Sequence, residues 1–174
     1  MKTKSRRLLY ERIASHHASE LYMVLCDQRV YAHIEDQEVP TQAQFVESVD
    51  RMVAGPPTHR ASEVWLDFVV RSKQTKECIG RIEATVIESR AEIAYLFGHR
   101  HWGKGYARES VQWLEQLVVE KFVVNSFWAT VNSENVRSIA LLKRLGYAEA
   151  SVEKWPAKIA SYTKGDSVFC RVLE

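Results

Sequence analysis

The pattern of apolar and polar positions along the chain predicts a mixed α/β fold. Period-two alternation or short apolar runs, typical of strands, occupy five segments: Arg6–Ile13, Glu63–Arg71, Cys78–Ile87, Ala91–Phe97 and Ser126–Val131. Apolar residues at helical spacing occupy four more: His17–Cys26, Thr41–Val53, Tyr106–Lys121 and Asn135–Leu145. With two further strands near the C-terminus, the order β-α-α-β-β-β-α-β-α-β-β describes one mixed α/β domain over residues 1–174.

Cap and turn residues set the predicted limits of these elements. Thr41 is the predicted N-cap of the second helix, and Asn132 or Ser133 that of the last helix, which Gly146 terminates. The polar segment SKQTKE predicts a hairpin connection between the second and third strands. A turn at Lys164-Gly165-Asp166 is predicted between the final two strands.

Composition narrows the class of protein. The chain is 46% hydrophobic and 26% charged with a net charge of +2, which excludes a disordered chain and gives no support to a nucleic-acid partner. Cys26, Cys78 and Cys170 are far apart and form no C-x-x-C pair, so we expect reduced thiols rather than a zinc site or disulfides. No apolar run approaches the about 18 residues of a membrane span. These features predict a cytoplasmic protein without a membrane partner.

The segment GHRHWGKG raises the question of phosphate binding. Gly98, Gly103 and Lys104 have the spacing of a nucleotide-binding P-loop, but Gly105 replaces the hydroxyl residue that would hold Mg²⁺. The next strand also ends in Asn132, where an aspartate would be needed. A glycine-rich turn between a strand and a helix can still bind phosphate without metal through backbone amides. The alternative is a tight turn whose Arg100 and Lys104 are only solvated.

A second segment, VNSENVRSIALLKRLGY, changes the balance between these alternatives. Together the two segments resemble the GCN5-related N-acetyltransferase (GNAT) superfamily. Arg100–Gly105 match its Q/R-x-x-G-x-G/A pattern for acetyl-CoA, and a later family pattern is matched at five positions: Asn135, Ser138, Leu141, Gly146 and Tyr147. Within the superfamily, the chain is most similar to the branch that acetylates ribosomal-protein N-termini (RimJ/RimL type).

The resemblance implies a fold and a cofactor site. The fold would be a single GNAT-like domain with a central, mixed, mostly antiparallel twisted sheet of about seven strands flanked by about four helices. The strand before the turn would part from its neighbour and offer backbone groups to pantetheine, with the Leu96 amide at the thioester oxygen. The turn would wrap the pyrophosphate, and Asn135 would bind a pantetheine amide. The implied cofactor residues are Leu96, Phe97, Gly98, Arg100, His101, Trp102, Gly103, Lys104, Gly105, Tyr106, Ala107, Asn132 and Asn135.

The reaction implied is direct attack of a neutral amine on the acetyl carbon, which calls for a base. Glu92 resembles the glutamate base of some family members; the alternatives are a structural salt bridge or an exposed strand edge. Leu142 stands where many members carry a tyrosine acid, so Ser138 is nominated as proton donor to the thiolate. The alternative for Ser138 is a small residue that lets the helix approach the cofactor.

Three functional hypotheses remain open: acetylation of a protein N-terminal α-amine, acetylation of a small amine (antibiotic, polyamine or aminoacyl-nucleotide), or a non-catalytic domain that only binds acyl-CoA. An α-amine, with a pKa near about 8, loses its proton more readily than lysine at about 10.4, which favours the first. By analogy the acceptor wall comprises Tyr31, His33, Glu35, Asp36 and Tyr162–Asp166. We expect no metal, since His99 and His101 lack further ligands, and a monomer or homodimer.

Overall fold

The structure is a computed structural model that describes residues 3–34, 38–156, 159 and 161–173. Two residues of the predicted acceptor wall, Glu35 and Asp36, lie outside the described residues.

The described strands form a seven-stranded sheet in the order β1-β2-β3-β4-β5-β7-β6. The pairs are antiparallel except β4 with β5, which is parallel, so the predicted mixed and mostly antiparallel sheet is confirmed. The strands are β1 Leu8–Arg12, β2 Glu63–Ser72, β3 Cys78–Ile87, β4 Arg90–Phe97, β5 Ser126–Asn132, β6 Ala148–Glu149 and β7 Asp166–Val172.

The helices lie close to their predicted positions, with a single-turn helix added. They are α1 Ala18–Leu25, α2 Gln28–Tyr31, α3 Gln42–Ala54, α4 Tyr106–Lys121 and α5 Val136–Arg144. Thr41 caps α3 as predicted, in a capping box with Gln44. The predicted cap of α5 is wrong: Asn135 is the N-cap, because its side chain accepts the Ser138 amide at 3.1 Å. The side-chain oxygen of Asn132 instead accepts the Glu134 amide within the preceding turn.

The two faces of the sheet bury different helices. Alternate residues of β2–β4 join α4 and α5 in the larger core, which includes Phe68, Ile82, Leu114 and Leu142. The other face packs on α1 and α3 through a smaller core that includes Val69. Side chains alternate along a strand, so residues two apart share a face. The face that carries the smaller core also carries a polar region.

The final strand pair differs from its prediction. β6 pairs with β7, with Ala148 opposite Cys170, but β6 ends at Glu149 and β7 begins only at Asp166. The turn at Lys164-Gly165-Asp166 therefore leads into β7 and does not join the pair. Local hydrogen bonds explain the long connection: the Trp155 indole binds the Ala150 carbonyl, and Thr163 and Asp166 bind each other. This connection brings Ser161 over the sheet beside Glu92.

Candidate active site

The parallel strands β4 and β5 separate along their length. Their registered pairs are Arg90 with Ser126, Ala91 with Phe127 and Glu92 with Trp128, whereas β4 continues to Phe97. The separation that the resemblance implies is therefore present. It leaves the last five residues of β4 with one backbone edge turned toward an opening in the sheet.

Hydrogen-bond alternation shows which backbone groups of β4 face this opening. The Gly98 amide donates to the Ile79 carbonyl, so the even-numbered positions face β3. The Ser89 carbonyl accepts the Asn125 amide, so the odd-numbered positions face β5. The alternation favours the amides of Tyr95 and Phe97 over the predicted Leu96 amide as donors into the opening, while the Leu96 side chain packs against the smaller core.

The turn after β4 combines left-handed glycines with the start of a long helix. Gly103 and Gly105 have φ angles of +73° and +76°, a region that side chains disfavour, and α4 begins directly after Gly105. Gly105 supplies no side-chain cap to α4, whose N-terminal end favours anions. The Trp102 indole donates to the Phe97 carbonyl at 2.7 Å and holds the turn against the strand.

An arginine from the N-terminal segment braces this turn. Arg7 Nη1 donates to the Lys104 carbonyl at 2.8 Å and Arg7 Nε donates to Glu109 at 2.7 Å, with the guanidinium 4.8 Å from the centre of the Tyr106 ring. The sequence gives no signal for this role, because nothing in the basic start KTKSRR distinguishes Arg7 from its neighbours. Arg100 and Lys104 themselves are exposed beside the turn.

The two histidines of the turn have separate surroundings. Burial, followed by the nearby Lys104 charge, lowers the pKa of His101, so its imidazole is neutral at pH 7. The His99 Nδ1 atom lies 3.2 Å from the Asp27 carboxylate. Within the part of the chain that the structure describes, no group of three or more His, Cys, Asp or Glu residues is arranged to hold a metal.

On the other side of the opening, Asn135 and Ser138 start α5. The side-chain oxygen of Asn135 caps the helix, so the side-chain NH2 group of Asn135 remains available as a donor. The side-chain oxygen of Asn132 accepts the Glu134 amide in the preceding turn. The Ser138 hydroxyl lies 2.6 Å from the Tyr95 hydroxyl. Burial raises the pKa of Tyr95 to about 12, so this hydroxyl stays protonated at neutral pH. Sequence reasoning missed Tyr95, because an aromatic residue in a central strand usually only fills the core.

Glu92 lies on the opposite face of β4. It is 5% exposed in a central strand, so the alternative of an exposed strand edge is wrong. Its carboxylate borders a cavity of about 230 Å³, where the Ser161 hydroxyl lies 3.5 Å away. A larger cavity of about 540 Å³ lies elsewhere, along α4 beside Arg171, away from the opening.

The described residues of the predicted acceptor wall, Tyr31, His33 and Tyr162–Asp166, do not line this cavity. Tyr31 is buried, and burial raises its pKa to about 12, with the Arg81 charge nearby. His33 is exposed, and Tyr162 packs against Trp155 with ring centres 5.0 Å apart. Asp67 lines the cavity and was missed. Its signal was in the sequence, since a carboxylate within the apolar strand EVWLDFVVR requires an explanation.

These features match a known class of protein. The family model of the acetyltransferase (GNAT) domain matches residues 7–148, and the chain belongs to this family. A curated relative is the uncharacterized N-acetyltransferase p20 of Bacillus licheniformis, 40% identical over 83 residues, which are 46% of this chain and 47% of p20. The chain spans about half the length of the curated relatives it matches. Among the described helices, none has both the length and the apolar character needed to cross a membrane.

Solved structures share the fold at low sequence identity. A GNAT-family acetyltransferase from Bacillus anthracis superposes with a TM-score of 0.78 at 19% identity, covering 99% of this chain and 98% of its own. The RimL ribosomal L7/L12 alpha-N-protein acetyltransferase in complex with coenzyme A superposes with a TM-score of 0.76 at 16% identity, covering 97% and 96%. At this identity the likeness shows the fold alone.

Proposed function

We propose that the chain transfers an acetyl group from acetyl-CoA to a primary amine, and that the acceptor is the α-amine of a protein N-terminus. The observation that carries the proposal is the opening between β4 and β5, which leads into the two-glycine turn and has Glu92 on one face of β4 and the Tyr95–Ser138 pair on the other. The fold shared with the RimL acetyltransferase supports the N-terminal acceptor.

The residues around the opening fit acetyl-CoA. The amides from His101 to Ala107 would surround the pyrophosphate, where the absence of a side chain at Gly103 and Gly105 leaves room and the start of α4 favours negative charge. The free edge of β4 would bind pantetheine, together with the side-chain amide of Asn135. Arg100 and Lys104 would add positive charge from the rim.

The proposed reaction moves two protons. Glu92 accepts a proton from the acceptor's ammonium group, and the neutral nitrogen then attacks the acetyl carbon. As the N–C bond forms and the C–S bond breaks, a β4 amide stabilises the charge on the carbonyl oxygen. Ser138, hydrogen-bonded to the Tyr95 hydroxyl, donates a proton to the departing sulfur. The second proton, released by the attacking nitrogen, restores the Ser138 hydroxyl through solvent.

The chemistry of the site suits an α-amine. At pH 7, deprotonation costs about 1.4 kcal/mol for an α-amine of pKa about 8 and about 5 kcal/mol for a lysine side chain. Glu92, beside a small cavity, is the base that we propose for this step. An acceptor amine that is already partly neutral at pH 7 therefore requires a less effective base.

A turnover screen tests the proposal. Release of free coenzyme A from acetyl-CoA is measured with N-terminal peptides beside small amines, namely polyamines, an aminoglycoside and an aminoacyl-nucleotide. We expect turnover with peptides that lies at least tenfold above the blank without acceptor. Turnover with small amines alone would show that the acceptor class is wrong. Tight coenzyme A binding without any turnover would favour a non-catalytic acyl-CoA-binding domain.

A further inference from the structure

The cavity beside Glu92 contains a second buried carboxylate, that of Asp67 on β2. Asp67 is 5% exposed and lines the cavity together with four other charged residues, Arg60, Arg81, Glu83 and Glu92. Among the described residues, no hydrogen bond reaches its carboxylate. A buried carboxylate without hydrogen-bond donors is costly, because the protein replaces none of the water that it loses.

The neighbouring arginines do not supply the missing donors. Arg81 and Arg12 both lower the pKa of Asp67 through their charge, while burial has the larger effect and raises it. The hydrogen bonds of these guanidinium groups go elsewhere: Arg81 pairs with Glu83, and Arg12 donates to the Trp65 carbonyl at 2.6 Å. The Asp67 carboxylate is therefore directed at the cavity with its hydrogen-bonding capacity unused by these neighbours.

The strand register places Asp67 at a defined distance from Glu92. Asp67 lies opposite Glu83, which lies opposite Ala94, and Glu92 lies two residues before Ala94 on the same face. Two strand spacings across the sheet and one step of two residues along it separate the Cα atoms of Asp67 and Glu92 by roughly 12 Å. On β3, Glu83 and Thr85 lie between them on the same face. All four residues line one cavity, so an extended acceptor that lies along this cavity can reach both Asp67 and Glu92.

We propose that Asp67 binds a second cationic group of the acceptor, an ammonium or guanidinium roughly 10 Å from the amine that is acetylated. This inference rests on the proposed function and adds a specificity subsite to it. Two sources carry this chemistry: a basic side chain at the second residue of a protein N-terminus, or the far amine of a small diamine. The cavity of about 230 Å³ accommodates either alkyl chain.

Matched acceptors that differ by one charge test the subsite. Peptides beginning Ser-Lys or Ser-norleucine form one pair, and 1,7-diaminoheptane and 1-aminoheptane form the other. For the wild type we expect kcat/KM to be about tenfold higher for the dicationic member of at least one pair, and Asp67→Asn to remove this preference. Asp50→Asn, the same change at an exposed position of α3, serves as control and should retain it. A preference confined to one pair identifies the source of the cation.

The outcomes separate this inference from the proposed function. The subsite is refuted if the wild type shows no charge preference, if Asp67→Asn retains it, or if that variant lowers kcat/KM equally for both members of a pair. If neither pair is acetylated at all, the proposed function fails, and the subsite is then tested by ligand binding alone. In that case 1,7-diaminoheptane should still raise the Tm of the wild type more than that of Asp67→Asn, and equal shifts would exclude the subsite.

Discussion

The hydroxyl of Tyr95 lies 2.6 Å from the hydroxyl of Ser138, so a hydrogen bond joins the centre of the sheet to the first turn of α5. This pair stands at the side of the opening where the family's usual tyrosine is replaced by Leu142, which is fully buried in the larger core. Burial raises the pKa of Tyr95 to about 12, so its hydroxyl stays protonated at neutral pH. In the proposed mechanism, these two hydroxyls together serve the leaving thiolate as its proton donor.

Removing either hydroxyl should slow acetyl transfer without abolishing it. We expect Ser138→Ala to lower kcat about 10- to 100-fold and Tyr95→Phe somewhat less, since a thiolate of pKa about 8.5 leaves fairly well without an acid. Because the residues act as a unit, the double variant should be no slower than about the slower single variant. Single-turnover rates measure this, with exposed Ser133→Ala as control. Multiplicative losses in the double variant would contradict a shared role.

Glu92→Gln tests the proposed base. Glutamine fills the same volume in the cavity but accepts no proton, so we expect kcat/KM at pH 7 to fall about 100-fold. The deficit should shrink as the pH rises toward and above the pKa of the acceptor α-amine, about 8, since the amine then arrives neutral. Glu88→Gln, in the exposed turn between β3 and β4, is the matched control. A Glu92→Gln enzyme with an unchanged rate at pH 7 would remove Glu92 from the mechanism.

Arg7 should influence the turn without touching the reacting atoms. Its side chain binds the Lys104 carbonyl and Glu109, so Arg7→Ala should loosen the proposed pyrophosphate site. We expect the Kd for coenzyme A to rise about three- to tenfold, a modest effect because the guanidinium is partly exposed. Isothermal titration calorimetry measures it, and exposed Arg6→Ala controls for the lost charge. If Arg7→Ala and Arg6→Ala have equal Kd values for coenzyme A, the loss of affinity is a general effect of charge and the contact of Arg7 with the turn does not contribute.

Gly80 on β3 lies opposite Phe97 and permits the close approach of β4 along the end of the strand that borders the opening. A methyl group at this position would lie 2.3 Å from the Leu96 carbonyl oxygen and 2.9 Å from the Phe97 Cα atom. Neither backbone atom can move alone, so Gly80→Ala should lower the free energy of unfolding by about 3 kcal/mol and weaken coenzyme A binding. Gly55→Ala meets no atom within 4 Å, so its cost of about 1–3 kcal/mol comes from the backbone angles alone, φ +79° and ψ −167°, and it should leave coenzyme A binding unchanged. Coenzyme A affinity, measured beside chemical denaturation, distinguishes the two.

The sequence predicted the fold more completely than the site, and the reason is physical. Strand and helix periodicity depends on local spacing, so Thr41 as cap of α3 and Gly146 after α5 were both predicted correctly. The contact of Tyr95 with Ser138 joins residues 43 positions apart. Only the separation of β4 from β5 and the packing of α5 bring them together, and neither leaves a local pattern.

The predictions that were incomplete also depend on contacts between residues far apart in the sequence. The turn at Gly165 was recognised, but its connection to a strand pair was not, because β7 pairs with the distant β6 across a long segment. The sequence shows Asp67 as a charged residue within an apolar strand. Its proposed role, however, depends on which part of the sheet the helices leave uncovered. Periodicity assigns a residue to a face, but it does not show where α1 and α3 stop covering that face.

The last prediction concerns the stability cost of Asp67. Burial raises the pKa of this carboxyl above its usual 3.8, so the folded protein binds the proton more tightly than the unfolded chain does. The sign follows from linkage: stability associated with this group is present below pH 3.8 and is lost as the pH rises through the folded-state pKa. At pH 7, the charged Asp67 therefore lowers the stability of the folded protein, despite the charges of Arg81 and Arg12.

Asp67→Asn should therefore stabilise the protein at neutral pH while impairing its acceptor specificity. We expect a gain of about 1 kcal/mol at pH 7, seen as a Tm higher by about 2–4 °C, since a buried charge is replaced by a neutral group of the same shape. The gain should vanish below pH 3.8, where the wild-type carboxyl is protonated as well. Thermal unfolding at both pH values measures this. If the variant is less stable at pH 7, the native structure itself stabilises the Asp67 charge, and the argument for a cationic ligand at this carboxylate loses its energetic basis.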